Sequence, residues 1–358
     1  MIELVLSFAT AFSLTYFAIP PIISIALAKN LYDEPDERKT HQVNTPSLGG
    51  IAIFGGIIFS MVLWTPPSFF INLQYVLCSF ILIFLIGAKD DLAPVAANKK
   101  MLAQILAASI LVMKSDVQLH SLYGLAGYYG SLPNWFGIAL SVFTILVIMN
   151  SINLIDGLDG LAGSLTAVIF SFFGVWFYLA GHYEFSILAL ASLGAVLAFL
   201  KYNLSPAKIF MGDTGSLILG ITVAILALKF IDLNYLLAPD SIYRFKAGPA
   251  IAIGVLVVPL FDTLRVFTTR ILRGGSPFKP DRRHIHHLLI DAGYNHLQAT
   301  GILIVTNLLT ISLVFILDAY LNASYIVLLL LGIFLSLTYF LHRSVYHRHK
   351  EQANLAVK

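Results

Sequence analysis

The segment 150–160 holds the densest group of oxygen-bearing side chains in this chain that could bind a metal ion. It reads Asn-Ser-Ile-Asn-Leu-Ile-Asp-Gly-Leu-Asp-Gly and follows a long apolar stretch. If that stretch is a helix, Asn150 and Asn153 share one face at its end. The glycines that follow let the chain turn, which brings Asp156 and Asp159 toward the same place. Such oxygen donors suit Mg²⁺, although a polar helix end with Asn and Asp turn chemistry is the alternative.

A pair of adjacent carboxylates, Asp90 and Asp91, ends another apolar stretch and is followed by Lys99 and Lys100. Neighbouring carboxylates repel each other unless a metal ion or a basic partner relieves the repulsion. The pair therefore predicts either a cation-binding position or ordinary charge at a membrane boundary.

The segment 210–216, Phe-Met-Gly-Asp-Thr-Gly-Ser, precedes a further apolar stretch. Asp213 is suited to cap the helix that begins there. The same geometry would let backbone N–H groups at the helix N-terminus approach a phosphate. Both interpretations place Asp213 at the start of a helix.

Histidines form the last motif. His284, His286 and His287 follow a basic segment, and they either bind an anionic ligand or belong to a loop that fixes topology. A zinc-protease signature of the type His-Glu-x-x-His is absent from the sequence. Asp262 and Arg265, three apart in an apolar segment, are predicted to form a structural ion pair, although ionisable residues inside a membrane are functional candidates.

The composition predicts what kind of protein positions these motifs. Of 358 residues, 58% are hydrophobic and 11% are charged, whereas soluble proteins average about 25% charged residues. We therefore predict an all-α polytopic membrane protein. The N-terminus lacks the positive region of a signal peptide, so residues 2–28 are expected to be a retained span. The single Cys78 excludes an intrachain disulfide.

Eleven segments approach the roughly 20 apolar residues that a spanning helix needs, and 101–113 is the weakest of them. They are 2–28, 48–64, 73–88, 101–113, 135–152, 161–180, 185–202, 216–230, 247–272, 297–317 and 323–341. We predict one multi-span domain over 1–341 and a short basic cytoplasmic tail over 342–358.

The distribution of Lys and Arg predicts the orientation. Most of the 22 lie in the odd-numbered loops and the C-terminal tail, whereas the even-numbered loops and adjoining helix ends hold only Lys114, Lys229, Arg244 and Lys246. The positive-inside rule then places the N-terminus outside and the C-terminus in the cytoplasm. All the polar motifs outside the spans fall on the cytoplasmic side, so cytoplasmic loops are predicted to form one active site.

Such a site could hold a metal ion, neutralise phosphates and accept an amphiphile with an anionic head. Phosphoryl transfer fits, because it depends on positioning and charge neutralisation. A transporter for an anionic metabolite is the remote alternative, although its site should lie between repeated halves, and the sequence has no such repeat. A phosphotransferase of the CDP-alcohol type would need an Arg that is absent after Asp156.

Taken together, the motifs at 90–91, 150–161, 210–216 and 284–287 resemble those of the polyprenyl-phosphate N-acetylhexosamine-1-phosphate transferases, the family of MraY and WecA. The His-Ile-His-His form is similar to the WecA and TagO branch, whereas MraY usually has three consecutive histidines. The resemblance implies transfer of a sugar 1-phosphate from a UDP-N-acetylhexosamine to undecaprenyl phosphate, with release of UMP and a requirement for Mg²⁺ or Mn²⁺.

The resemblance also implies a multi-pass protein of the inner (plasma) membrane, embedded in the lipid bilayer, whose product primes O-antigen lipopolysaccharide, teichoic acid or a similar surface glycan. GlcNAc is the expected sugar, with GalNAc, QuiNAc, FucNAc and MurNAc-pentapeptide as alternatives. A homodimer is left open, and no nucleic-acid partner is expected.

Individual roles follow from the same resemblance. Asn153 and Asp213 resemble the metal-coordinating pair, and Asp90 and Asp91 resemble the carboxylates beside the lipid phosphate. The implied catalytic set is Asp90, Asp91, Asp156, Asp159 and Asp213. Lys39 with Lys99 or Lys100 would bind the lipid phosphate, and residues 93–98 leave open which of these two lysines is equivalent. The residues implied to bind substrate further comprise Asn150 and, on a mobile loop, Arg282, Arg283, His284, His286 and His287.

Overall fold

The computed structural model describes residues 1–31, 45–274 and 284–356, and these residues form helices joined by short loops, with no β-sheet among them. Thirteen α-helices lie in the described part of the chain. They are α1 (Ile2–Ala28), α2 (Gly49–Trp64), α3 (Phe70–Leu92), α4 (Ala97–Lys114), α5 (Asn134–Ile155), α6 (Leu161–Leu179), α7 (Tyr183–Asn203), α8 (Gly212–Leu236), α9 (Gly248–Val255), α10 (Val257–Leu272), α11 (Ile285–Asp291), α12 (His296–Asp318) and α13 (Ala323–Ala356).

The helices confirm the polytopic all-α architecture. Among the described residues, eight helices are long and apolar enough to cross a membrane, and nine if the bent pair α9 and α10 is one span. The other two predicted spans are also helices, but α2 has only 16 residues and α4 contains three lysines. The count of eleven spans and the orientation therefore stay predictions.

The segment predicted as one span over 247–272 is not a single continuous helix, because α9 and α10 meet at an angle of 81°. Pro259 has no backbone N–H to donate to the Val255 carbonyl, and in a regular helix its ring would clash with that carbonyl. The side-chain amide of Asn307 in α12 donates to that carbonyl oxygen at 3.3 Å. The break is thus stabilised by a partner from another helix, as a buried backbone group away from water requires.

Helix α8 is the centre of the bundle and is buried along almost its whole length. It packs against α2, α3, α5, α6, α7 and α9. The outer helices expose large apolar side chains, among them Phe17, Phe143 and Leu328, as expected of a surface in contact with lipid. The N-terminus of α8 lies beside the carboxyl ends of α3 and α5, and this end of the bundle holds the predicted motifs.

Helix α13 runs through residue 341, where the predicted membrane domain ends and the predicted tail begins. The guanidinium of Arg348 in this extension donates a hydrogen bond to the carbonyl oxygen of Ala292, next to α11. The division into a domain and a tail stays a prediction, but the described tail residues continue a helix.

Candidate active site

Lys100 lies at the centre of the polar cluster. Its ammonium group is 3.0 Å from a carboxylate oxygen of Asp90, and it also contacts the carboxylate of Asp213. These three side chains come from the start of α4, the end of α3 and the start of α8, and all are largely buried. Lys99 is exposed, so the structure brings Lys100 rather than Lys99 into the cluster.

The adjacent carboxylates of Asp90 and Asp91 have different partners. Asp90 accepts a hydrogen bond from the Val95 backbone N–H at 2.6 Å in addition to its contact with Lys100. Asp91 instead accepts from the backbone N–H groups of Asp213 at 2.6 Å and Thr214 at 3.1 Å, and from the Thr214 hydroxyl at 2.5 Å. Asp91 therefore caps α8 from α3, and the repulsion within the pair is relieved by separate partners.

Gly212 makes this cap possible. Its φ is +69°, a conformation that residues with a side chain rarely adopt. A Cβ atom there would also lie 2.2 Å from the Ser47 carbonyl oxygen and 2.6 Å from Asp91. The segment before α2 is held here by a backbone bond from Phe210 N–H to the Pro46 carbonyl at 2.7 Å. Residues 45–50 thus form part of the wall of the site.

Asn153 and Asp213, the pair that resembles metal ligands, are in direct contact. The Asn153 amide donates to the Asp213 carboxylate at 2.7 Å and to the Ser216 hydroxyl at 2.8 Å. Asn150, one turn earlier in α5, instead donates to the Gln104 side chain and to the Leu146 carbonyl, each at 2.8 Å. Asn150 therefore links α5 to α4, and its predicted role with substrate stays a prediction.

Asp156 and Asp159 follow α5 but lie in different surroundings. Asp156 is half-buried, and desolvation together with the charges of Asp91 and Asp159 raises its pKa to about 7. Asp159 is buried, accepts from the Ala207 backbone N–H at 3.2 Å and lies 3.8 Å from a ring nitrogen of His296. Asp159 thus ties the turn to the segment before α8 and to α12, whereas Asp156 faces the carboxylate cluster.

The histidine segment approaches this turn through His286. A Cβ atom on Gly157 would lie 2.2 Å from Nε2 of His286, so the ring packs directly on the glycine. The ring is fully buried, and its burial lowers the pKa of His286 to about 3. His286 also lies against the rings of His284 and His287, with centroids 5.6 Å and 4.3 Å away.

Three predicted residues, Lys39, Arg282 and Arg283, lie outside the described residues. Their predicted roles therefore stay predictions. Of the predicted residues that the structure describes, Asp90, Lys100, Asn153 and Asp213 form one contact network, and Asp91, Asp156 and His286 border it.

The sequence does not indicate one contributor to this region, Gln104, and for another, Asp262, it predicts a structural ion pair. Gln104 fixes Asn150, and it lies four residues after Lys100, on the same face of α4. Asp262 forms the predicted ion pair with Arg265 at 2.9 Å, but it also accepts from His284 at 2.8 Å. The sequence signal for a functional role of Asp262 is its position as a carboxylate inside an apolar span.

The site offers some of the ligands of a magnesium ion, of the kind that also binds water and substrate phosphates. No group of three His, Cys, Asp or Glu side chains within the described ranges has metal-binding geometry. Mg²⁺, however, is commonly held by one or two carboxylates together with water and substrate phosphates. Asn153 and Asp213 offer an amide and a carboxylate in contact with each other, and Lys100 already brings a positive charge to the same carboxylate.

Known proteins resemble this chain over nearly its whole length. Residues 73–231 match the sequence model described as glycosyl transferase family 4. The probable undecaprenyl-phosphate N-acetylglucosaminyl 1-phosphate transferase of Bacillus subtilis (strain 168) is 33% identical over 352 residues, which cover 94% of this chain and 91% of that protein. The undecaprenyl-phosphate alpha-N-acetylglucosaminyl 1-phosphate transferase of Salmonella typhi is 31% identical over 279 residues, covering 77% and 73% respectively.

Proposed function

Because the chain belongs to glycosyl transferase family 4, we propose that it transfers N-acetylhexosamine 1-phosphate from a UDP-sugar to undecaprenyl phosphate and releases UMP. N-acetylglucosamine is the proposed sugar, since the relatives described above are named for it. The observation that carries the proposal is the largely buried network of Asp90, Lys100, Asn153 and Asp213 at one end of a membrane bundle. An acceptor could reach this network with its phosphate while its apolar tail stays in lipid.

Asn153 and Asp213 would hold the divalent cation. When bound, Mg²⁺ or Mn²⁺ supplies positive charge to the diphosphate of the sugar nucleotide. Asp213 lies in the first turn of α8. The Asn153 amide nitrogen donates to its carboxylate oxygen at 2.7 Å and so orients the carboxylate. The Ser216 hydroxyl in turn holds the Asn153 amide at 2.8 Å.

Lys100 and Asp90 would position the acceptor. Phosphate oxygens accept hydrogen bonds from an ammonium group, and Lys100 donates up to three. On arrival of a phosphate, Lys100 can exchange a contact with Asp90 or Asp213 for a phosphate oxygen without leaving the site. The Val95 backbone N–H keeps Asp90 in place at 2.6 Å, so the carboxylate orients the lysine during this exchange.

The proposed chemical step is a single displacement at phosphorus. An oxygen of the lipid phosphate forms a bond to the β-phosphorus, the bond from that phosphorus to the bridging oxygen breaks, and this oxygen leaves with UMP. A phosphate monoester has a second pKa near 6, so about nine-tenths of the acceptor is dianionic at pH 7 and needs no general base. Inversion at a chiral β-phosphorus is expected, whereas retention would indicate a covalent enzyme intermediate.

The test uses the purified full chain with undecaprenyl phosphate, Mg²⁺ and UDP-linked GlcNAc, GalNAc, QuiNAc, FucNAc or MurNAc-pentapeptide, with UMP release measured. UMP should form fastest from UDP-GlcNAc and only when the lipid is present. Asp213→Asn should lower this activity about 10²–10³-fold, and Asp318→Asn, far from the site, should retain it. Absence of lipid-dependent UMP from every donor would contradict the proposal.

We further propose that the protein lies in the bacterial plasma membrane with this site on the cytoplasmic face, where its product would prime a surface glycan. Ala97 and Asp240 are exposed at opposite ends of the bundle. In a Cys78→Ser background, Ala97→Cys should react with an impermeant thiol reagent only after the cell is opened, and Asp240→Cys should react in intact cells. The reverse pattern would overturn the orientation.

A further inference from the structure

Asp262 is a buried carboxylate with three hydrogen-bond donors from two parts of the chain. One of its oxygens accepts from the Arg265 guanidinium within α10 at 2.9 Å and from the Ile285 backbone N–H at the start of α11 at 2.8 Å. The other lies 2.8 Å from Nδ1 of His284. The side chains of Asp262, Arg265 and His284 are each less than a tenth exposed.

These contacts determine which nitrogen of His284 carries a proton. An ionised carboxylate only accepts hydrogen bonds, and the adjacent Arg265 stabilises the ionised form of Asp262. Nδ1 of His284 must therefore be the donor, and the ring orientation is fixed with Nε2 as its second polar atom. Carboxylates that orient a functional imidazole in this way are common around catalytic and metal-binding histidines.

The same carboxylate holds the start of α11. Ile285 is the first residue of this seven-residue helix, and His284, the residue before it, makes no side-chain capping bond to the helix. A helix so short has little stability of its own. The bond from the Ile285 N–H to Asp262 therefore connects α11 to α10, and α11 carries the His286 ring that packs on Gly157 beside Asp156.

We propose that Asp262 is a positioning residue for the transfer reaction: it fixes the His284 ring and anchors the start of α11, so that the histidine segment is held against the 156–160 turn. The proposal deepens the proposed function, because the histidines matter to it only as part of the active site. Asp262 itself acts through His284 and α11 and need not touch substrate.

Two matched pairs of variants test this role. Asp262→Asn exchanges an acceptor-only group for an amide, and its control is Asp318→Asn. Asp318 is also largely buried, and it accepts from the backbone N–H groups of Lys246 at 3.2 Å and Ala247 at 2.7 Å at the opposite end of the bundle. Ile285→Pro removes the backbone N–H that donates to Asp262, and proline fits the first position of a helix. Its control, Ile285→Ala, shortens the side chain but keeps the N–H.

Hydrogen exchange over residues 284–291 measures the anchor without reference to activity. Asp262→Asn and Ile285→Pro should raise exchange in this segment at least about 10-fold, as expected for loss of roughly 1.4 kcal/mol of local stability. Asp318→Asn and Ile285→Ala should not. Unchanged exchange in both test variants would overturn the anchoring role, even if the parent protein shows no transferase activity.

Kinetics measure the functional part. Asp262→Asn should lower kcat/KM about 10- to 100-fold. The double variant Asp262→Asn/His284→Ala should lose less than the product of the two single losses, because Asp262 acts in part through the His284 ring. Losses that multiply in the double variant would show that Asp262 does not act through His284. If Asp262→Asn cannot be purified folded, Ile285→Pro against Ile285→Ala decides the anchoring role.

Discussion

The two ends of α8 both carry charged residues, but the groups around those charges differ. At the far end, Lys229 donates to the Asp116 carbonyl at 3.0 Å, and Asp232 accepts from the Tyr123 hydroxyl at 2.8 Å. Asn234 both donates to and accepts from the Phe245 backbone, at 2.9 Å and 2.8 Å. These partners come from loops that close over the helix end.

At the near end, the carboxylates of Asp90 and Asp213 share the one ammonium group of Lys100, and Asp156 faces the same cluster. The two ends are about 37 Å apart along a single helix. The comparison teaches that charge density alone does not distinguish a site from a structural network. At each end two carboxylates share one ammonium group, since Lys229 lies 3.3 Å from Asp116 and 3.9 Å from Asp232. At the near end two further carboxylates, Asp91 and Asp156, adjoin the pair, so an additional cation there would be stabilising.

The largest expected effect comes from the same Asp→Asn substitution made separately at each end of α8. Asp213→Asn should lower kcat about 10²–10³-fold, as for removal of one electrostatic contact to the reacting group, with little change in thermal unfolding. Asp232→Asn should retain kcat but lower the free energy of unfolding by about 1–3 kcal/mol, since it disturbs a buried hydrogen bond. Measuring UMP release and thermal unfolding in the same detergent checks both. Similar effects of the two variants on activity would erase the distinction.

A second contrast uses the two adjacent lysines. Lys100→Gln should lower kcat/KM about 10²-fold, because it removes the positive charge between Asp90 and Asp213. Lys99→Gln, an exposed control, should stay within about twofold of the parent protein. Initial rates over a range of undecaprenyl phosphate concentrations measure both. A larger loss for Lys99→Gln would mean that the lipid phosphate binds outside the network.

A smaller effect is expected at the contact between the turn and the histidine segment. Gly157→Ala should lower kcat about 10-fold, because the new methyl group forces the His286 ring away from its position. Gly55→Ala is the control, since a Cβ atom there meets nothing within 4 Å. The kcat values of the two variants, measured side by side, give the comparison. Equal rates would show that His286 does not need its place on Gly157.

The smallest effect is a pH dependence of stability from Asp156. Its folded pKa is about 7, whereas an unperturbed Asp titrates near 3.9. Between about pH 4 and pH 7 the folded protein thus holds a proton that the unfolded chain has released, so stability should fall as pH rises through this range. Thermal unfolding in a metal chelator should show a flatter fall for Asp156→Asn. The exposed control Asp240→Asn should follow the parent protein, and parallel curves for all three would contradict the raised pKa.

The sequence predicts those features that depend on helix ends. Apolar stretches end at Asp91 and near Asn153, and another begins just after Asp213, so once the helices alternate in direction these polar helix ends must meet. Which side chains of different helices contact each other cannot be predicted in this way. Nothing local separates Lys99 from Lys100, and whether Asn150 faces the site or Gln104 depends on how α4 packs on α5.

The break between α9 and α10 shows a different limit. A proline inside a helix weakens it, and Pro259 is such a residue, but the kink at a proline in a membrane helix can be slight or sharp. Here Asn307, far along the chain, donates to the Val255 carbonyl that the proline leaves without a helical partner, and so permits a sharp bend. Likewise, the partnership of Asp262 with His284 joins residues 22 positions apart in sequence, and local pattern carries no information about it.

The capping of α8 by Asp91 has a consequence for inhibitor chemistry. The N–H groups of Asp213 and Thr214 are the ones that an anionic compound would seek at a helix start, and an internal carboxylate already occupies them. A phosphate mimic aimed at this helix end would have to displace Asp91. A compound carrying an amine between Asp90 and Asp213 would instead take the place of the Lys100 ammonium, so cationic scaffolds are the better starting point for blocking this site.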